Sequence, residues 1–144
     1  MVLKAPRCVL LVVVCLTFLV FLETVSGATY RQFKQRHIDN GQPPSNARTY
    51  WNQMMQRRGM THPVCKPTNT FIHSSDRQVR GICGAGGRPV FGNTYQSRHP
   101  FRITTCRVIP GSRPPRCNYR GHTVTRNIRV SCVRRLPVYF AGIV

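Results

Sequence analysis

Acidic residues are nearly absent from this chain. Its 144 residues include three, Glu23, Asp39 and Asp76, against 22 lysines and arginines, for a formal net charge of +19. Lysine is scarce too: Lys4, Lys34 and Lys66 are the whole set, so the cations are overwhelmingly arginine. No C-x-x-C pair and no close Cys/His cluster occurs, which argues against a zinc site. No internal repeat and no low-complexity linker is visible, which argues against a second domain. No apolar run reaches the roughly 20 residues that a bilayer span needs. With so little acid to offset it, the charge selects polyanionic partners: nucleic acid, anionic lipid or acidic polysaccharide. Arginine suits phosphate, because its planar fork can donate two parallel hydrogen bonds. The plainer alternative is a solvated basic surface with no specific ligand.

What is present begins with an address. Lys4 and Arg7 precede an apolar-leaning run from Cys8 to Leu22, and the compact Val25, Ser26 and Gly27 follow. That order is expected of a secretory signal peptide over residues 1–27. The rival reading, a membrane anchor, fits a run this short less well. Cleavage after Gly27 leaves 28–144 as a single domain with 20 lysines and arginines against Asp39 and Asp76, hence +18. Five cysteines remain in it: Cys65, Cys83, Cys106, Cys117 and Cys132. A secreted domain of this size reads as a disulfide framework. Five is odd, so one thiol stays free or pairs between chains.

The text then falls into two halves. Thr29–Ile38 reads as a helix, with Phe33 and His37 on one face. "GQPPSN" breaks it. A second helix is expected from about Ala47 to Arg58, capped by Ser45 or Asn46 and stopped by Gly59. "SSDRQV" opens a short third. "FRITTCRVI", "HTVTRNIRVSCVR" and "PVYFAGIV" are β-branched and partly alternating, between loops rich in glycine and proline. Early helices and late strands predict an α+β fold with an antiparallel sheet.

"CKPTNTFIH", Cys65 to His73, resembles the signature of the pancreatic-type ribonuclease (RNase A) superfamily, Cys-Lys-x-x-Asn-Thr-Phe. "RQFKQRHID" is similar to that family's first helix and "LPVYFAGIV" to its closing strand. "QRRGMTHPVCK" and "PPRCNYR" look most like the angiogenin branch and its fish relatives. The resemblance spans essentially all of 28–144. It implies three short helices packed on a curved antiparallel sheet, stapled by disulfides, and cleavage of RNA by transphosphorylation. It implies no cofactor and no metal. His37 would be the general base and Lys66 the cation facing the phosphoryl group. Asn69 would support the site through hydrogen bonds, Thr70 would read a pyrimidine, and Phe140 would pack beside the base pocket. Taken alone, His37 is equally an ordinary helix-face histidine and Lys66 a solvated lysine. His73 is expected to support the core. His62, His99 and His122 are expected at the surface.

Three departures from the family pattern matter. Tyr139 stands where the second catalytic histidine belongs, and Ala141 where a polar residue usually orients it. A positioned general acid contributes on the order of 10²–10⁴ in rate. A phenol is longer than an imidazole and titrates near 10, so pyrimidine-specific cleavage is expected to be weak or lost. His122 is the one other histidine considered for that role. Arg36 replaces a glutamine beside His37; it can hold phosphate, and its charge tends to lower the pKa of the neighbouring imidazole. Trp51 replaces the helix-two cysteine whose partner corresponds to Cys106. The remaining bridges implied are Cys65–Cys117 and Cys83–Cys132, with Cys106 a buried thiol or the handle of a linked dimer; a monomer is the expectation.

Three functional classes follow. One is a secreted ribonuclease, possessing feeble activity. Another is a non-catalytic binder of RNA, heparinoid or a receptor. The third is a cationic host-defence protein acting on bacterial membranes by charge. Arg57-Arg58 resembles a nuclear or nucleolar targeting turn of angiogenins, and equally reads as a basic helix end favoured by the macrodipole. "GAGGRPVFGN" occupies the place of the angiogenin receptor-contact loop with a different composition. Expressed in secreting cells, the protein in the medium should begin at Ala28; an intact Met1 or a membrane-bound product, detected by mass spectrometry, would contradict the leader.

Overall fold

In a computed structural model the chain is described over residues 6–41 and 47–144, apart from the side chains of 6–7 and 17–28. Among the described residues three helices are followed by, and interleaved with, seven strands. They are α1 (Pro6–His37), α2 (Ala47–Arg57), β1 (Thr68–Ile72), α3 (Asp76–Gly81), β2 (Gly87–Phe91), β3 (Thr94–Ser97), β4 (Phe101–Val108), β5 (Tyr119–Arg126), β6 (Ile128–Val133) and β7 (Leu136–Ile143). The α+β architecture is the expected one. The first helix is longer than expected, because no proline follows Pro6 to interrupt it before His37. Among the described residues no helix is long and apolar enough to cross a membrane. Residues 42–46, including the anticipated cap at Ser45 or Asn46, lie outside the described part.

Gly59 ends α2 as anticipated. Its φ of +78° is the left-handed state that glycine adopts without a Cβ penalty. Met60 N–H then turns back to donate to Met55 O at 2.9 Å. Ser75 caps α3, its hydroxyl accepting from Gln78 N–H.

The strands form two antiparallel ladders, β1-β4-β5 and β2-β3-β6-β7, where one curved sheet was anticipated. The long stretch 119–133 serves both. It pairs with β4 as β5, leaves the ladder at Asn127, and pairs with β3 as β6. Asn127 is the pivot: its side-chain amide donates to Ser97 O at 2.7 Å.

Strand β1 faces two cores because its side chains alternate. Ile72 belongs to a cluster with Phe33, Val79, Ile103, Ile128 and Val130. Phe71 belongs to another with Trp51, Met54, Met55, Cys106 and Tyr119. The disulfides Cys65–Cys117 and Cys83–Cys132 close spans of 52 and 49 residues. Cys106 is unpaired and wholly buried. Burial, and secondarily the Asp39 carboxylate, push its thiol up to about 12, so it stays protonated and unreactive at neutral pH.

Trp51 fills the space beside that thiol. Its ring is 2% exposed, stacks on Phe71 at 5.7 Å and meets Tyr50 edge-on at 4.7 Å. Gly121, paired with Cys106 across the ladder, makes room for it; a Cβ there would run into the indole nitrogen. Trp51→Ala should therefore cost about 3–5 kcal/mol in denaturant unfolding. In the same native protein Cys106 should resist iodoacetamide until denaturant is added; a smaller loss or a reactive thiol would contradict this packing.

Candidate active site

The last turn of α1, the start of β1 and the middle of β7 meet at one place. His37 ends α1. Its Nδ1 lies 2.9 Å from Thr70 O on β1. A carbonyl only accepts, so Nδ1 carries the proton and Nε2 keeps its lone pair. The imidazole is held in one tautomer, and among the described residues nothing hydrogen-bonds to Nε2.

Lys66 sits just before β1, fixed by the Cys65 bridge. Its Nζ donates to Asn69 Oδ1 at 3.0 Å, and Asn69 Nδ2 donates to Arg36 O at 2.8 Å. One amide thus joins the ammonium to the helix end that carries His37. Burial, then the Arg36 charge, lower the Lys66 pKa. Phe140 on β7 stacks on His37 with ring centroids 5.5 Å apart, and Phe33 closes the other side at 5.0 Å. His37, Lys66, Asn69, Thr70, Phe140 and the Arg36 backbone are therefore gathered.

Tyr139 immediately precedes Phe140 on β7. It is 65% exposed, paired with Ser131 across the ladder, and Ala141, two residues on, offers no polar atom. His122 is exposed on β5, opposite Thr105. It stands two strands from Thr70, about 10 Å at ordinary strand spacing. His62 and His99 are exposed as well.

The family model described as pancreatic ribonuclease matches residues 28–141. The chain belongs to the pancreatic ribonuclease family. A curated "Ribonuclease" of Chelonia mydas is 50% identical over 112 residues, covering 77% of this chain and 94% of the relative. An "Angiogenin" of Miopithecus talapoin is 45% identical over 114 residues, covering 78% and 77%. Among solved structures, green turtle egg white ribonuclease superposes with a TM-score of 0.75 at 49% identity, covering 81% of this chain and 98% of that one. Zebrafish RNase5 gives 0.69 at 30% identity, covering 80% and 93%. The fish likeness is thus present, at lower identity than the turtle one.

Within this ribonuclease fold several supporting residues had no sequence signal of their own. Thr105 on β4 shares a hydroxyl contact of 3.3 Å with Thr70. Arg58, expected as part of a targeting turn or of a basic helix end, donates to Gln35 O at 2.7 Å and Lys34 O at 3.3 Å, tying the end of α2 to the last turn of α1. Asp39, two residues past His37, accepts from Tyr50 Oη at 2.6 Å. His73 contacts Asp39 O through Nδ1 at 3.1 Å and Thr104 Oγ1 through Nε2 at 2.7 Å. It supports the core, as anticipated. Spacing reveals none of these partners, since each lies more than ten residues away.

The His37 pKa falls to about 4. Burial is the main cause; the Thr70 carbonyl works against it, and the Lys66 and Arg36 charges reinforce it. Arg36 thus acts in the expected direction but is the smallest contributor. The unfolded value lies near 6.5. The folded state binds fewer protons between the two, so His37's contribution to stability is complete above about 6.5 and is lost as pH falls towards 4. Proton NMR should find the His37 midpoint near 4, and Arg36→Gln should raise it. A midpoint at 6.5 in the unsubstituted protein would contradict the burial.

Proposed function

We propose that this protein is a secreted, arginine-rich member of the pancreatic ribonuclease family that grips RNA strongly and cleaves it weakly. The observation that carries the reading is the asymmetry of the site. The base side is complete: His37 is oriented by Thr70, and Lys66 is held by Asn69. The acid side is bare: Tyr139 is exposed, and among the described residues no group hydrogen-bonds its hydroxyl.

His37 Nε2 takes the proton of a ribose 2′-hydroxyl, which attacks the adjacent phosphorus. Lys66 steadies the charge that builds on the phosphoryl oxygens. Thr70 borders the base, with Phe140 beneath His37. The 5′-oxygen then has to leave as an alkoxide unless something protonates it. Tyr139 is a poor donor there, being unoriented and of different reach, and an ångström of misplacement is already costly. Arg36 adds a second cation for the substrate phosphate.

Binding without efficient turnover is also the basis of the other readings. A net charge of +18 after leader removal attracts acidic glycans and bacterial membrane surfaces as well as RNA, and Arg57 at the open end of α2 remains available as part of a nuclear uptake signal. RNA affinity falling steeply with salt is expected of a phosphate binder. Activity lost in His37→Ala would mark the catalytic role; effects on cells that survive it would mark the others.

The direct test is Tyr139→His on a cytidine-containing dinucleotide. The variant should gain about 10²-fold or more in kcat/KM over the unsubstituted protein, with little change in RNA affinity. An unsubstituted rate already at the level of ordinary family members, or no gain on restoring histidine, would refute the proposal.

A further inference from the structure

We propose that the cleft between α3 and the start of β4 is a binding site for a small aromatic carboxylate, separate from the RNA site. A cavity of about 480 Å³ opens there, within the range of small-ligand sites. Three backbone ties set its walls. His73 N–H donates to Arg102 O at 2.9 Å, holding the chain before α3 against β4. Gly86 N–H donates to Gly81 O at 2.9 Å, folding the next loop back on the helix end. Arg98 N–H donates to Gly86 O at 2.9 Å, bringing His99, Pro100 and Phe101 to that loop. The cavity is therefore built by the fold.

Gly81 is the residue in it that a structural role does not explain. It is the last residue of α3, and glycine is less favourable in a helix than alanine. Its φ is not left-handed, and a Cβ placed on it would meet nothing within 4 Å. Neither backbone conformation nor close packing calls for glycine there. Gly86 differs, since a Cβ on it would come within 3.0 Å of Gly81 O. What the missing side chain of Gly81 leaves is open space in the wall of the cavity.

The lining selects the ligand. Phe101, half-buried against the core, and Pro100 give an apolar wall. The two glycines bare their backbone, so a flat ring can lie close to it. His73 adds ring carbons but no free polar atom, because Nδ1 meets Asp39 O and Nε2 meets Thr104 Oγ1. Ser74 donates to Gln78 Oε1, which leaves Gln78 Nε2 as a donor. Arg102 and His99 are exposed on the same lining, and neither Asp39 nor Asp76 belongs to it. One guanidinium fork beside apolar walls fits one carboxylate on an aromatic ring. An RNA strand would call for a row of cations instead. Thr105, which touches Thr70 at the RNA site, lies three residues along β4 from Arg102, about 10 Å away.

The test titrates the processed protein, recovered from culture medium, with naphthoate and follows the backbone amides by NMR. Saturable shifts should appear at Gly81, Gly86 and Phe101 and not at Lys66 or Thr70. Naphthalenemethanol, the same ring without the charge, should bind about tenfold more weakly, and Arg102→Gln should weaken naphthoate binding by about the same factor. Gly81→Leu fills the open space. It should abolish binding with no loss of unfolding temperature and no change in RNA affinity. The absence of saturable shifts at the three amides, or equal affinity for the neutral analogue or in Arg102→Gln, would overturn the proposal. So would naphthoate bound by Gly81→Leu as by the unsubstituted protein, or a Gly81→Leu protein that fails to fold, since the glycine would then have a structural role.

Discussion

The contact between His37 Nδ1 and the Thr70 carbonyl is the one on which the site depends. It does two things at once. It fixes which imidazole nitrogen carries the proton, and it ties the end of α1 to β1, the strand that borders both cores. The bonds around it repeat the same junction. Asn69 reaches back to Arg36 O, Asp39 N–H donates to Ile72 O at 2.9 Å, and Arg58 holds the carbonyls of the last α1 turn. A helix held by that many independent ties presents its last residue in one orientation.

The burial that makes the junction rigid also sets its electrostatics. His37 is kept neutral chiefly because its cation would be poorly solvated between Phe33 and Phe140, and Lys66 and Arg36 add to that. Packing and charge therefore act in the same direction here. The cost is borne by a surface with almost no counter-ions, which suits a protein that meets a polyanion.

Much of this was legible in the chain, for identifiable reasons. Helix ends and strands announced themselves through Gly59, the β-branched alternation and the glycine and proline loops. The signature around Lys66 and Asn69 and the position of His37 carried the site by resemblance. What was hidden depends on contacts between distant segments. Nothing near Asn127 signals that one stretch serves two ladders, since that follows from where Ser97 lies. The ties that Arg58 makes were hidden because its acceptors belong to another helix. Trp51 against Cys106 combined both cases: the missing bridge was readable from cysteine parity and resemblance, whereas the matching gap at Gly121 needed three dimensions.

The central claim is that the site keeps its base and its phosphate grip but lacks an effective proton donor. Leaving-group chemistry isolates that claim. A uridine 3′-phosphate diester with a nitrophenolate leaving group needs no protonation to depart, whereas a dinucleotide needs it fully. The most direct measurement is the ratio of kcat/KM for these two substrates in the unsubstituted protein and in Tyr139→His. The unsubstituted protein should favour the aryl ester by about 10²–10⁴ more than the histidine variant does. Equal ratios in the two proteins would show that Tyr139 is no deficit of acid, and would contradict the claim.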